Sequence, residues 1–325
     1  MQTSRVLMFA AIAASCVACV TPTDRSSTPV LDTDFPDPFV LPIEVGLVAY
    51  ATNTDRDIRI NVQMSRSRDG RSWSAPVEAM PVVPAWAFAR EPSIWAPEVM
   101  QIAGHYVLYF SARHAARMRP DGRSLCIGAA VSDVPEGPFV AQPQPLTCGG
   151  PHGVIDASPF RDSYDDALWL HFKTDGNCCA TPTTVMAQRL SDDGLALVGQ
   201  ATVVQGIAND APWEGHVVEA PQMLHAKGRY WLFYSGNDYG GKSYATGYAI
   251  CDAPAGPCRD ALENPIMGSD STLAGPGHPS LFQHGGRTWI AYHGWRDIGH
   301  RDTRYRAMYI DRLDWSSDRP VVKRP

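Results

Sequence analysis

Five short segments of this sequence set an acid or a histidine beside a proline or a small residue. They hold Asp37 in "FPDPFV", Glu98 in "WAPEVM", Asp156 in "IDASPF", Glu219 in "VEAPQM" and His278 in "GHPSLF". A carboxyl that keeps its proton and one that has lost it can divide a hydrolysis between them. The first protonates a leaving oxygen and the second activates water. Cleavage of a glycosidic bond uses such a pair, about 6.5–9.5 Å apart for inversion and about 5–5.5 Å apart for retention. Taken singly, each segment has a plainer reading. An Asp-Pro pair starts turns, Asp156 caps a turn, and His278 is a satisfied core histidine. Glu98 is read as structural, capping backbone amides. What lifts the set above chance turns is its phase, because successive polar positions are 61, 58, 63 and 59 residues apart.

Segments that keep step must be carried by a repeated element. An apolar strand follows each of them: "VGLVAYA" (45–51), "GHYVLYFS" (104–111), "ALWLHFK" (167–173), "GRYWLFYS" (228–235) and "GRTWIAYH" (286–293). Third strands show in "CIGAAVSDVPEGPF" (126–139) and "ATGYAICDAPAGPC" (245–258), which share a G-x-A…P-x-G-P skeleton. Five units of this length, each with room for four short strands, predict an all-β fold. The expected domain is one five-bladed β-propeller with four-stranded blades over residues 32–325. A sandwich or an up-and-down barrel uses similar strands but demands no five-fold repeat. In a propeller the innermost strands line one channel. Asp37, Asp156 and Glu219 then share a mouth, with Glu98 and His278 on the other two blades. Pro36 and Pro38 fix the approach of Asp37. Buried like charges repel, so at least one carboxyl keeps its proton near neutral pH.

Composition agrees with strands and turns. Of 325 residues, 27 are glycine and 27 proline, and 44% are hydrophobic, enough for a large core. The net charge of -6 argues against nucleic acid, which needs a basic face, while a neutral polysaccharide needs no steering charge. Residues 1–19 read as an export signal, in which Arg5 precedes the short apolar run "VLMFAAIAAS" and the "SCVACV" segment. Cys16 or Cys19 fits lipoprotein-type processing, with plain signal cleavage as the alternative. Residues 20–31 form a polar tether. The protein is therefore expected to be a periplasmic or cell-surface lipoprotein, or otherwise secreted. The remaining cysteines read as structural, with Cys126–Cys148 and Cys251–Cys258 pairings open to them. Cys178 and Cys179 either bridge as neighbours or stay reduced.

In their order and spacing, "DFPDPFV", "WAPEV", "IDASPF", "VEAPQMLHAKGRYWLFYSG" and "GHPSLF…GRTWIAYH" resemble glycoside hydrolase family 43 over roughly residues 32 to 315. The resemblance implies a five-bladed propeller that hydrolyses arabinan- and xylan-type linkages with inversion. It implies Asp37 as general base, Glu219 as general acid and Asp156 as the carboxylate that tunes and orients the acid. It matches His278 to an axial histidine associated with calcium or another ion, and Arg306 in "RYRAMYIDRLDW" to an arginine that contacts sugar. No cofactor is expected for the chemistry itself. Glu219-Ala220-Pro221 departs from the commoner E-G-P, and "WAPE" replaces W-A-P-D. The first departure, "KTDGN" (173–177) and the run 234–249 resemble an exo-acting arabinofuranosidase-like branch. The expected substrate is then an α-L-arabinofuranosyl linkage in arabinan-type plant cell-wall oligosaccharides. The alternatives are a β-xylosidase, an endo-arabinanase or a non-catalytic carbohydrate-binding surface propeller. Phe35, Trp95, Trp213 and Trp295 lie near the motifs, where rings either stack on sugar or fill the core. Phe35, Trp95, His278 and Arg306 are the expected substrate contacts.

Overall fold

The computed structural model describes residues 28–324 except 120, 121, 180, 208, 301, 302, 316 and 317. The expected export signal and tether residues 20–27 lie outside the described residues. Among the described residues, twenty strands form five four-stranded antiparallel sheets, each built from four consecutive strands. This is the five-bladed propeller. The one helical element described is a 3-10 turn at Asn177–Cys179.

The innermost strands are Phe39–Ile43, Trp95–Ile102, Val154–Arg161, Val218–Ala226 and Ala274–His284. The second strands are Gly46–Ala51, His105–Arg119, Leu168–Thr174, Arg229–Gly236 and Arg287–Arg296. In blade 4, Lys227 and Gly228 join the first strand to the second, both with positive φ. That is the two-residue turn whose twist matches a hairpin. Second strands are covered by a neighbouring blade on each side. Residues 107–112 and 230–236 are therefore buried without a break. The cores lie between blades: Tyr50 of blade 1 packs with Phe110 of blade 2, and Phe160 of blade 3 with Leu232 of blade 4.

Chain ends meet where blade 1 closes on blade 5. The amides of Val30 and Leu31 donate to Met308 O at 2.9 and 3.3 Å, and that of Phe35 donates to Arg306 O at 2.8 Å. Val30 and Leu31, expected in the tether, thus belong to the fold. Phe35, expected at the substrate, is 0% exposed and packs with Phe282 and Met308 in the closing core. Its ring seals the joint between blades and does not reach the cavity. Three disulfides form, Cys126–Cys148, Cys251–Cys258 and the neighbouring pair Cys178–Cys179.

Each innermost strand carries one left-handed residue at the axis, in blade 1 two residues before the strand begins: Asp37 (φ 54°), Ala96 (46°), Asp156 (59°), Ala220 (51°) and His278 (57°). Such values are uncommon outside glycine, and a ring of five is a built feature. It corrects the phase read from the sequence. Glu219 stands one residue before its vertex and Glu98 two residues after. Four vertex amides donate to a side chain on or just after the second strand of the preceding blade. Ala96 N reaches Thr52 Oγ1 at 2.9 Å, Asp156 N reaches Ser111 Oγ at 3.2 Å, and His278 N reaches Ser235 Oγ at 2.8 Å. Asp37 N reaches His293 Nδ1 at 3.2 Å across the closure. In strand register, Ser111, Ser235 and His293 each face the residue before a vertex, and Lys173 holds the same place in blade 3. An ammonium cannot accept a hydrogen bond. The Ala220 amide donates instead to Asp156 Oδ2 at 2.9 Å.

Candidate active site

At the mouth of the channel lies a cavity of about 300 Å³, lined by Asp37, Asp156 and Glu219 together with Trp95, His278 and Arg306. Three blades contribute the carboxylates, two more the histidine, arginine and tryptophan. Glu98 does not line it. Its Oε2 accepts from Ser158 Oγ at 2.8 Å, a side-chain bond in place of the expected backbone cap. Burial pushes Glu98 up to about 8, so it carries a proton at neutral pH.

Asp37 is the fixed anion of the site. Burial alone would raise it, but the Arg306 guanidinium, whose Nη1 lies 2.8 Å from Oδ1, turns the balance. His278 adds to this, and the carboxyl is held well below the usual carboxylate range. Thr52 Oγ1 donates to Oδ2 at 2.6 Å and fixes its rotation. Burial takes His293 down to about 4, so the ring is neutral. Its Nδ1 is the acceptor for the Asp37 amide, which leaves the hydrogen on Nε2.

Asp156 and Glu219 behave as an unlike pair. Burial lifts Asp156 to about 6, with the Glu219 charge adding to it and His278 and Lys173 opposing. Burial also works against the Glu219 carboxylate, yet Lys173, Tyr244 and Asn177 outweigh it and draw Glu219 below its ordinary value. Lys173 Nζ, wholly enclosed, lies 2.9 Å from Glu219 Oε2. Tyr244 Oη donates to Oε1 at 2.8 Å, and Asn177 Nδ2 to Oε2 at 3.1 Å. Lys173, Asn177, Tyr244, Thr52 and His293 were not among the residues singled out from the sequence. The signal for two of them is the last residue of the quoted strands, where "FYS" and "YFS" give way to "HFK" and "AYH".

Of the expected sugar contacts, Trp95 faces the cavity, with the Arg113 guanidinium 6.0 Å from its ring centroid. Arg306 lies 5.0 Å from the Tyr239 ring. Trp295 lines an adjoining cavity of about 390 Å³ that shares Trp95, Tyr239 and Arg306 with the first. Trp213 packs on Tyr234 inside blade 4, ring centroids 5.3 Å apart.

The residues around His278 do not fit the ion expected there. A calcium ion takes about six to eight oxygens. His278 offers one imidazole, its Nδ1 3.5 Å from an Asp37 oxygen already engaged by Arg306. His293 has no free lone pair to add. Among the described residues, two groups have the proximity of metal ligands, His152–Cys178–Cys179 and Asp210–Glu214–Asp260. Neither contains His278.

Known proteins are similar to this chain. A xylosidase/arabinosidase 43A of Humicola insolens is 28% identical over 236 residues, 62% of this chain and 65% of that protein. An extracellular endo-alpha-(1->5)-L-arabinanase of Thermotoga petrophila is 28% identical over 274 residues, 72% of this chain and 54% of that protein. The chain thus spans between about half and two thirds of these relatives' lengths. A crystal structure of a thermostable family-43 glycoside hydrolase superposes with a TM-score of 0.80 at 27% identity, covering 92% of this chain and 96% of that one. The family model for glycosyl hydrolases family 43 matches from residue 26 to residue 320, almost the whole propeller, and the chain belongs to that family.

Proposed function

We propose that the protein is an inverting glycoside hydrolase that cuts arabinan- or xylan-type oligosaccharides. Asp37 activates water, Glu219 protonates the leaving oxygen, and Asp156 tunes Glu219. One observation carries this reading. A single cavity holds a carboxylate locked in its ionised form by Arg306 and, two blades further on, an unlike pair in which Asp156 is pushed up to about 6 and keeps the pair's last proton while Glu219 is drawn below its ordinary value. In the free protein that proton rests on the Asp156 side, because Lys173 favours the Glu219 carboxylate. A coupled pair titrates as a unit. The reacting state is the one with the proton on Glu219, against the sugar oxygen.

The narrowing to α-L-arabinofuranosyl linkages rests on Ala220, "KTDGN" and the run 234–249. The relatives favour the wider alternative, since one is a xylosidase/arabinosidase and the other an endo-arabinanase. β-Xylosidase or endo-arabinanase action on this scaffold is therefore the stronger reading. Export, with lipid attachment at Cys16 or Cys19, belongs to the same proposal. The three disulfides are in keeping with an oxidising compartment.

The test is product analysis on arabino- and xylo-oligosaccharides, with the anomer of the first product read by NMR. An inverted anomer is expected. Binding without release of reducing ends would instead mark a non-catalytic propeller. Glu219→Gln should lose most activity on oligosaccharides and little on aryl glycosides with activated leaving groups, which need no acid help. Equal loss on both would remove Glu219 from the acid role.

A further inference from the structure

The 3-10 turn Asn177–Cys179 buries none of its residues in a core, yet it holds an active-site group in place. Asn177 spans the buried ion pair. Its Oδ1 accepts from Lys173 Nζ at 2.6 Å and its Nδ2 donates to Glu219 Oε2 at 3.1 Å. Before the turn, Asp175 is anchored by an ion pair with Arg119 and by its amide to Gly153 O at 2.9 Å. After it, the Thr183 hydroxyl and Val218 exchange two bonds of 2.7 Å. Between those anchors the backbone is held by two bonds to Gly176 O, from Cys179 N at 3.0 Å and Thr181 N at 3.3 Å. Gly176 N also reaches Thr174 O at 3.1 Å, and a further constraint is covalent. A disulfide between sequence neighbours closes a small ring through one peptide bond and removes most backbone rotation of both residues.

We propose that the Cys178–Cys179 disulfide turn is a thiol-reducible positioning element for Glu219, acting through Asn177. This rests on reading Glu219 as the acid. Access supports it, since Cys178 lines the catalytic cavity, while Cys251 and Cys258 are both 4% exposed and Cys126 is 0% exposed, with only its partner Cys148 partly buried. A small dithiol reductant entering the cavity meets this pair. Its thiolate attacks one sulfur, and its second thiol resolves the mixed disulfide. Two electrons and two protons end on Cys178 and Cys179 as thiols, and the reductant leaves as its cyclic disulfide. The groups that face Glu219 from the packed elements stay where they are. They are Lys173 and Asp156 of blade 3 and Tyr244 of blade 4, with His278 bearing on Asp156. Only the amide of Asn177 departs.

The full chain is compared oxidised, after dithiothreitol, and as the Cys178→Ser/Cys179→Ser double variant, with Asn177→Ala alongside. Alkylation and mass spectrometry identify which cysteines opened. A hydrogen bond to a charged group is worth about tenfold or more. All three altered forms should therefore lose about tenfold in kcat/KM on oligosaccharides and distinctly less on activated aryl glycosides. The donor lost favoured the carboxylate, so the basic limb of kcat/KM against pH should move up in all three. Reoxidation of the native chain should restore both. An unchanged profile with thiols shown at 178 and 179 overturns the proposal, and so does a loss equal on both substrates. A Cys178–Cys179 bond that stays closed in dithiothreitol overturns reducibility, while the double variant tests the positioning role by itself. Failure of the acid reading shows separately, as Glu219→Gln losing both substrates equally.

Discussion

Lys173→Met removes a cation from the most enclosed ion pair of the site and nearly preserves its volume. The ammonium is 0% exposed and lies 2.9 Å from Glu219 Oε2, whose side chain is 7% exposed. Taking one partner from a buried pair costs about 3–5 kcal/mol if the other stays charged. Glu219 can escape part of that by binding a proton. From an ordinary value of 4.5, holding it neutral at pH 7 costs about 3.4 kcal/mol, at 1.36 kcal/mol per pH unit. The smaller figure sets the ceiling. In the native chain Glu219 is depressed, so its contribution is full above pH 4.5 and is lost as pH falls through the folded value. In the variant the folded value lies above 4.5, and stability is lost as pH rises from 4.5 up to that folded value. Urea unfolding should show the two chains close together at pH 4.5 and about 3 kcal/mol apart at pH 7. A gap that stays constant between those pH values would refute the account of Lys173. In kinetics the same variant should carry its basic limb upward, since Glu219 then keeps a proton at higher pH.

Three further outcomes follow from the site. The native pH profile of kcat/KM should fall on the basic side near pH 6, where the Asp156–Glu219 pair gives up its last proton, and on the acid side only below the ordinary carboxylate range. A basic limb above pH 8 would detach Asp156 from the reaction. Asp37→Asn should abolish turnover on oligosaccharides and activated substrates alike, because water loses its base, and normal product release by that variant in a reducing-sugar assay would remove Asp37 from the mechanism. Phe35→Ala should cost about 3–5 kcal/mol in denaturant unfolding with KM unchanged. A raised KM in a chain of native stability would put the ring back at the substrate.

The five-fold phase was readable because a motif and its apolar strand recur together, and neither turns nor sandwiches keep such a step. Finer placement depended on backbone geometry that residue types do not encode. The innermost strands of blades 2 to 5 all bulge at the axis, and residue types do not tell which bulge position is the vertex, so Glu219 and Glu98 fall off theirs while Asp156 and His278 fall on them. Phe35 lies near a catalytic motif in sequence, but its partners Phe282 and Met308 come from the far end of the chain. Nothing local tells a closing residue from a sugar platform. Lys173 was visible as the odd charge among strand ends. Its meaning needed the ring of amide acceptors in which it fails to accept.

That ring has a consequence for how such a barrel of blades changes its chemistry. Each left-handed vertex carries a strain of about 1–3 kcal/mol, and the fold bears it even at Ala96 and Ala220, where only a methyl group hangs. Asparagine and aspartate tolerate this conformation better than alanine. New polar groups at positions 96 or 220 would therefore arrive on a backbone already bent to receive them. The geometry is inherited while the reactive contents are interchangeable, so one substitution can re-equip the axis without rebuilding a blade.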